Sequence, residues 1–265
     1  MWVRACALGP LPPVPGETPD QWTAAIDRQR ASGLDLVTVA RITATGDLGH
    51  PIRGSEAAAI PPAVDSLPVE RRQLVATAPY TACAESDVPA SPAAIAAATD
   101  RLVTAVEAAP DCDAVILADP GAVTCPPARE DAVAAALDRA AAAATTATVI
   151  WYPWGGAVSE RLHALVYDTA VTVMAHDLVA ARDRNLYAIN EYRGTDPVGF
   201  GLADASGAVV LSATALGDRL RSVRDAVPAQ SFDGVYLLPS RPPTDLSWDA
   251  IDPLFDAIAT AAHSR

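Results

Sequence analysis

Short apolar runs alternate with longer amphipathic stretches along most of the chain. Apolar runs of five or six residues are typical of strands buried on both faces, and longer runs with polar residues at helical spacing are typical of helices packed on one side. The pattern predicts eight strands, at residues 3–8, 34–39, 73–77, 114–118, 148–152, 170–174, 198–202 and 234–238.

Seven helix-like stretches lie between or after these strands. The first begins at a cap formed by Thr18-Pro19-Asp20 and runs to Ser32, before Gly33, because proline is favoured in the first helical turn and glycine after the last. The others are predicted at residues 91–109, 128–144, 158–166, 178–190, 214–227 and 248–262. Residues 40–70 contain prolines and glycines without a helical pattern, so this crossover is predicted to be an extended loop.

Regular alternation of strands and helices indicates a parallel sheet with helices packed outside it. Eight such units are the number that closes a (β/α)8 barrel, here predicted as one TIM-barrel domain over residues 1–265. The rival is an open doubly wound sheet, which favours a glycine-rich turn for phosphate after its first strand. The turn at residues 9–13 is GPLPP, which offers few backbone N–H groups, and the barrel is therefore favoured.

The charge of the chain excludes several classes of partner. The net charge is −13, and all nineteen basic residues are arginine. Nucleic acids and anionic membranes are not expected as partners because there is no basic face to neutralise phosphates. The absence of lysine excludes Schiff-base chemistry on lysine. The acidic composition also resembles that of proteins from salt-adapted organisms.

Two further absences limit the expected location and chemistry. No apolar run approaches the roughly 18 residues needed to span a membrane, and the N-terminus has no signal-peptide pattern, so a cytoplasmic protein is expected. The four cysteines lack CxxC spacing, and no His, Cys or carboxylate set has the spacing of metal ligands. The prediction is therefore no metal and no cofactor.

Candidate site residues follow the predicted strands, because chemistry in (β/α)8 barrels occurs at the carboxyl ends of the strands. Four of them could act as an acid or a base: Asp119, His176, Asp177 and Asp204. The candidate ligand-binding residues are Arg41, Thr77, Tyr80, Thr81, Trp151, Tyr152, Trp154, Ser240 and Arg241.

Structural alternatives stand beside these roles. Asp119 could equally cap a loop, and Asp177 could cap the following helix beside a partly exposed His176. Asp204 follows two glycines, which favours a turn that faces a site. The aromatic stretch at residues 149–156, VIWYPWGG, could be the wall of a pocket or a plug in the core.

Several segments, in order, are similar to motifs of one family: residues 29–38 (QRASGLDLVT), 77–81 (TAPYT), 116–120 (ILADP), 150–155 (IWYPWG), 199–204 (GFGLAD) and 238–242 (LPSRP). Together they resemble the cobalamin-independent methionine synthases, zinc-dependent barrels related to uroporphyrinogen decarboxylase. The resemblance covers nearly the whole chain and implies a barrel that acts in methyl transfer and methionine biosynthesis.

The residues at the family's zinc-ligand positions differ in this sequence. The resemblance places Trp151, Pro153, Ala175 or His176, and Arg241 where the family holds its metal, and most of these cannot bind zinc. The implied protein is therefore a divergent barrel without zinc, a pseudoenzyme of the family's usual reaction.

Three functions remain open on these grounds. In the first, the barrel binds a small amino-acid or folate-like ligand, with Arg41 and Arg241 holding a carboxylate and the aromatic side chains stacking on a ring. In the second, the chain is a non-catalytic partner or stabilising subunit of a separate methionine synthase chain. In the third, Asp119 or His176-Asp177 is the base of a lyase or hydrolase.

Overall fold

The computed structural model describes residues 1–14, 21–49, 70–192, 197–207 and 210–264. These residues contain nine strands: β1 (Trp2–Ala5), β2 (Val37–Ile42), β3 (Leu48–Gly49), β4 (Arg72–Thr77), β5 (Ala114–Ala118), β6 (Thr148–Tyr152), β7 (Val173–Asp177), β8 (Val198–Ala203) and β9 (Gly234–Pro239). They lie in one sheet in the order β1-β9-β8-β7-β6-β5-β4-β2-β3.

Eight of these strands are parallel and curl into a barrel. The two ends of the sheet meet where Cys6, just after β1, forms a parallel bridge with Leu36, just before β2. Backbone hydrogen bonds of 3.1 Å from Leu36 N to Ala5 O and 3.3 Å from Ala7 N to Leu36 O hold this seam. The two-residue β3 pairs antiparallel with the end of β2.

Eight α-helices cover the outside of the barrel in the described part of the chain. They are α1 (Gln21–Ala31), α2 (Pro79–Glu85), α3 (Pro92–Glu107), α4 (Glu130–Ala143), α5 (Glu160–Tyr167), α6 (Arg182–Glu191), α7 (Ala213–Ala226) and α8 (Trp248–His263). Serine hydroxyls cap α3, α5 and α7, each accepting a backbone N–H of the first turn, which satisfies donors that the helix itself leaves unpaired.

Alternate residues of each strand face the inside of the barrel and the helices. The inner cluster includes Ile116, Ile150, Tyr152, Ala175 and Leu238. Their neighbours in sequence pack outward against the helices, in two larger clusters. The strands are therefore apolar on both faces, as expected for parallel strands.

The predicted (β/α)8 barrel is confirmed, with differences in detail. The strand predicted at residues 170–174 is β7 (Val173–Asp177), so His176 and Asp177 lie inside the strand. Helix α2 was not predicted; it begins at Pro79, directly after β4. The predicted cap at residues 18–20 and most of the predicted loop at 40–70 lie outside the described residues. No helix in the described ranges has the length and apolar character that crossing a membrane requires.

Candidate functional site

The carboxyl ends of the strands surround a cavity of about 360 Å³ at the mouth of the barrel. It is lined by side chains from β2, from α2 and from the loops after β1, β6 and β9. The polar and aromatic lining residues are Arg41, Thr43, Thr77, Thr81, Glu85, Trp154, Thr244 and Asp245. A cavity of this size is in the range that holds a small organic molecule.

Tyr152 belongs to the inner cluster of the barrel, together with Val75, Ala118 and Trp154 of the cavity lining. Its ring fills the barrel interior with no exposed surface, and its hydroxyl donates to the backbone carbonyls of Ser240 (2.9 Å) and Pro239 (3.1 Å). Burial raises the pKa of the Tyr152 phenol well above its ordinary value. Gly201 faces this ring, and a β-carbon there would overlap the Tyr152 hydroxyl. Glycine at position 201 is therefore what allows the tyrosine to cross the barrel.

Arg41 supplies a cation to the cavity. It lies near the end of β2 and is partly buried, and its Nε is buried without a hydrogen-bond partner among the described residues. Burial lowers the pKa of the guanidinium, and the nearby Glu85 carboxylate opposes this shift. Arginine nevertheless stays charged in proteins. An unpaired donor beside a cavity is suited to a carboxylate or another planar anion.

Two carboxylates stand at the same mouth. Glu85 comes from the last turn of α2, and Asp245 comes from the loop after β9. Burial against the mouth raises the pKa of Glu85, and the Arg41 charge opposes that rise. The mouth therefore holds both signs of charge within one cavity.

Trp154 forms a wall of the cavity just after β6. It packs on the inner cluster of the barrel, with its ring centroid 6.0 Å from that of Tyr152 and the two planes tilted by 56°. Gly155, which follows it, has φ of +89°, a conformation that glycine adopts readily. The indole is therefore held at the cavity by the barrel below it and by the turn after it.

Asp119 lies beneath the mouth rather than in it. Its carboxylate is fully buried and accepts hydrogen bonds from the Thr81 hydroxyl (2.6 Å) and the Trp151 indole N–H (3.0 Å). Burial raises the pKa of Asp119, and these hydrogen bonds oppose that shift. Thr81 Oγ1 also accepts the Gly121 N–H at 2.9 Å. The carboxylate therefore ties α2, β5 and β6 together.

Trp151 points away from the mouth, although its neighbours at positions 152 and 154 do not. Its ring packs into the outer cluster between the strands and the helices. This follows because successive side chains of β6 point to opposite faces of the sheet. The aromatic stretch is thus divided among three places: the helix layer, the barrel interior and the mouth.

His176 and Asp177 are also separated by the alternation of β7. The Asp177 carboxylate is buried and accepts the N–H groups of Gly155 (2.8 Å), Val179 (2.9 Å) and Ala180 (2.9 Å), which fixes the loops after β6 and β7. His176 faces the helix layer instead. The structure does not bring the two side chains together as an acid–base pair.

The residues after β8 and β9 bond mainly to their own loops. Asp204 accepts the Ser206 N–H at 2.8 Å, Ser240 Oγ accepts the Ala205 N–H at 3.2 Å, and Arg241 Nε donates to the Ala205 carbonyl at 3.4 Å. None of these side chains lines the mouth cavity. They stabilise the contact between the two loops.

The remaining predicted residues fall close to the cavity. Thr77 and Thr81 line it. Tyr80, on the first turn of α2, contacts Cys125, and burial raises the pKa of its phenol. Of the thirteen predicted residues, the structure gathers Arg41, Thr77, Thr81 and Trp154 at one cavity.

Glu85 was missed because residues 79–85 were not predicted to be helical. The signal was available: Pro79 is a proline at the start of a run of helix formers. Thr81 and Glu85 are four residues apart, so they lie on one face of a helix. A helical assignment would have placed both of them towards the mouth.

The residues at the mouth do not fit a zinc ion. In the described ranges no three His, Cys, Asp or Glu side chains are close enough together to hold a metal. Of the residues that the sequence resemblance placed at zinc-ligand positions, Trp151 packs among the helices and Arg241 bonds to a loop carbonyl. No step of chemistry at this mouth is therefore assigned to zinc.

Comparison with known proteins shows similarity at the level of the fold. No protein-family profile matches the sequence, and no curated protein matches it significantly. One similar structure is a B12-independent methionine synthase from Shewanella sp. W3-18-1, solved in complex with selenomethionine. The two chains superpose with a TM-score of 0.71 at 13% sequence identity, and the match covers 99% of this chain and 97% of that one. A methyltransferase from Methanosarcina mazei has a TM-score of 0.57 and 13% identity over 94% of this chain and 86% of that one. The chain therefore has the same barrel fold as a B12-independent methionine synthase and a methyltransferase.

Proposed function

We propose that the mouth of this methionine-synthase-like barrel binds a small α-amino acid without a metal. Arg41 binds the α-carboxylate, and Glu85 accepts a hydrogen bond from the α-ammonium group. Trp154 packs against the side chain. A folate-like molecule is the other ligand class that the sequence suggested, and a ring of that kind would stack on the same indole.

The observation that carries this proposal is the buried Nε of Arg41, which has no hydrogen-bond partner in the described part of the chain and belongs to a residue that lines a cavity of about 360 Å³. A buried donor without a partner costs about 1–3 kcal/mol, and a ligand carboxylate removes that cost. Glu85 at the same cavity gives the complementary charge that a zwitterion needs. The similar barrel from Shewanella is solved with the amino acid selenomethionine, which favours the amino-acid class.

Tryptophan fluorescence tests the proposal directly. Methionine, homocysteine and 5-methyltetrahydrofolate are each titrated into the protein, with methionine methyl ester as the control that lacks the carboxylate. We expect a saturable change with a free amino acid and little change with the ester, because Arg41 recognises the carboxylate. Trp154→Phe should remove the signal, whereas Trp2→Phe should keep it, because Trp2 packs on Gly234 at the start of β9, far along the barrel from the mouth. Equal responses to the acid and its ester would contradict the proposal.

A subunit role beside a separate methionine synthase chain stays a prediction. No contact of the described residues favours it. If the fluorescence titrations with amino acids and folate are all silent, that role becomes the better account of this barrel.

A further inference from the structure

A second, smaller cavity lies outside the barrel, between β7, β8, α5 and α6. Its volume is about 70 Å³, well below that of the mouth. Its lining is mostly apolar and aromatic but includes His163 and His176, with Met174, Tyr192 and Phe232 around them. The mouth site makes no use of these side chains.

His163 is buried with unsatisfied polar atoms. It is 4% exposed, and neither ring nitrogen has a hydrogen-bond partner among the described residues. The ring packs on Tyr192, with centroids 4.6 Å apart. Buried polar groups are almost always paired, so the unpaired ring nitrogens of His163 favour a group that binds in this cavity.

His176 lies opposite His163, and Asn185 of α6 is near it. The Asn185 amide nitrogen donates to the carbonyls of Asp177 (2.8 Å) and Gly156 (3.1 Å). Both of its N–H groups are therefore used, so its Oδ1 is the group that remains for a neighbouring donor. A neutral imidazole that donates one ring N–H keeps a lone pair on its other nitrogen, which is the arrangement that orients metal-binding histidines.

The distance between the two rings suits a shared ion. The centroids of His163 and His176 are 5.4 Å apart. Two imidazoles that bind one ion at about 2.0–2.1 Å, with an angle near tetrahedral or trigonal, have centroids about 5–5.5 Å apart. Met174 lies two residues before His176 on the same face of β7 and lines the same cavity, where its thioether can serve as a third ligand.

The lining decides the kind of ion. None of the described residues that line the cavity is a carboxylate or a thiol, so a divalent ion would find no opposing charge among them, and burying it would be costly. Imidazole and thioether groups together suit Cu(I). Organic ligands need pockets of about 300 Å³ or more, which this cavity does not provide.

We propose that His163, His176 and Met174 form a binding site for a Cu(I) ion, separate from the mouth of the barrel. The site is independent of the amino-acid site proposed above, because the two cavities share no residue. The competing occupant is a pair of ordered waters bonded to His163, which would satisfy the ring without any metal.

The test is an anaerobic titration with Cu(I) against bicinchoninate, followed by X-ray absorption. It uses a background with Cys112→Ser and Cys125→Ser, because these are the two of the four cysteines that are not buried. We expect one equivalent of Cu(I) per chain, with nitrogen and sulfur scatterers around it. Met174→Leu, which preserves volume, should remove the sulfur signal and weaken binding at least about tenfold, the scale on which changes around a metal ligand act.

Two further measurements keep the result interpretable. His163→Gln should abolish binding, whereas the control His263→Gln should bind as before, because His263 is exposed and contacts Asp35. In the unsubstituted protein, Ag(I) should shift the side-chain nitrogen resonances of His163 and His176 but not those of His263. This NMR measurement does not depend on the folding of any variant. Absence of Cu(I) binding, a sulfur signal that persists in Met174→Leu, or unshifted His163 and His176 resonances would each overturn the proposal in favour of waters.

Discussion

The indole N–H of Trp151 donates to Oδ2 of the buried Asp119 carboxylate at 3.0 Å. The second carboxylate oxygen accepts the Thr81 hydroxyl at 2.6 Å. Two of the candidate site residues predicted from the sequence are therefore bonded to each other beneath the mouth. Their contact holds β5, β6 and α2 in the positions that shape the mouth.

Asp119→Asn should destabilise the protein because an amide cannot accept from both donors. One of the two donors would face an N–H₂ group, at a cost of about 1–3 kcal/mol for each unsatisfied buried group. Urea unfolding followed by circular dichroism measures the change. The matched control is Asp204→Asn, a carboxylate that is only partly buried and bonds within its own loop; we expect a change within about 0.5 kcal/mol. Equal losses for the two variants would contradict the structural role of Asp119.

Gly201→Ala should destabilise the barrel because the added β-carbon overlaps the Tyr152 hydroxyl. Overpacking of this kind costs about 1–3 kcal/mol. Tyr152→Phe removes the hydroxyl, so the double variant should lose less stability than the sum of the two single variants. Additive losses in urea unfolding would mean that the tyrosine does not cross the barrel at position 201.

Acid should destabilise the metal-free protein through the two buried histidines. Burial lowers the pKa of His163 to about 4 and that of His176 to about 3, from an ordinary value near 6.5. Below pH 6.5 the unfolded chain binds protons that the folded chain does not, so stability falls as the pH is lowered towards 4. Above pH 6.5 both rings are neutral in the folded and in the unfolded chain, so the two histidines do not make stability depend on pH. The slope is at most about 1.4 kcal/mol per pH unit for each histidine.

Urea unfolding between pH 7 and pH 5 measures this slope. His163→Phe keeps an aromatic ring beside Tyr192 but cannot bind a proton, so its stability should depend less steeply on pH. His263→Gln serves as the control, since that ring is exposed. The same slope in the wild type and in His163→Phe would contradict the assignment of His163 as a buried neutral ring.

The strands could be predicted from the sequence because parallel strands are continuous apolar runs. Residues 114–118 and 148–152 were placed with the bounds that the structure shows. The same property conceals which face a residue lies on, because both faces are buried and the run does not alternate. Neighbouring aromatic residues such as Trp151 and Tyr152 therefore could not be assigned to the helix layer or to the interior.

The candidate site was predicted in part for a related reason. Arg41 and Trp154 are correctly near the mouth, because a charged or aromatic residue close to the end of an apolar strand is visible in the sequence. His176 was assigned to the mouth because the strand that became β7 was predicted three residues too early. Within the strand its side chain faces outward. The partnership of Asp119 with Thr81 is a contact between residues 38 positions apart, and no local pattern encodes it.

Calorimetric titration of methionine into the wild type, Arg41→Gln and Arg241→Gln tests the central claim most directly. Arg41 lines the mouth cavity, and its Nε has no hydrogen-bond partner among the described residues, whereas Arg241 donates to the Ala205 carbonyl and does not line the cavity. A hydrogen bond to a charged group is worth about 1.5–3 kcal/mol, so Arg41→Gln should weaken binding about 10- to 150-fold, and Arg241→Gln should bind as the wild type does. Methionine binding that is unchanged by Arg41→Gln, or lost equally in both variants, would contradict the account.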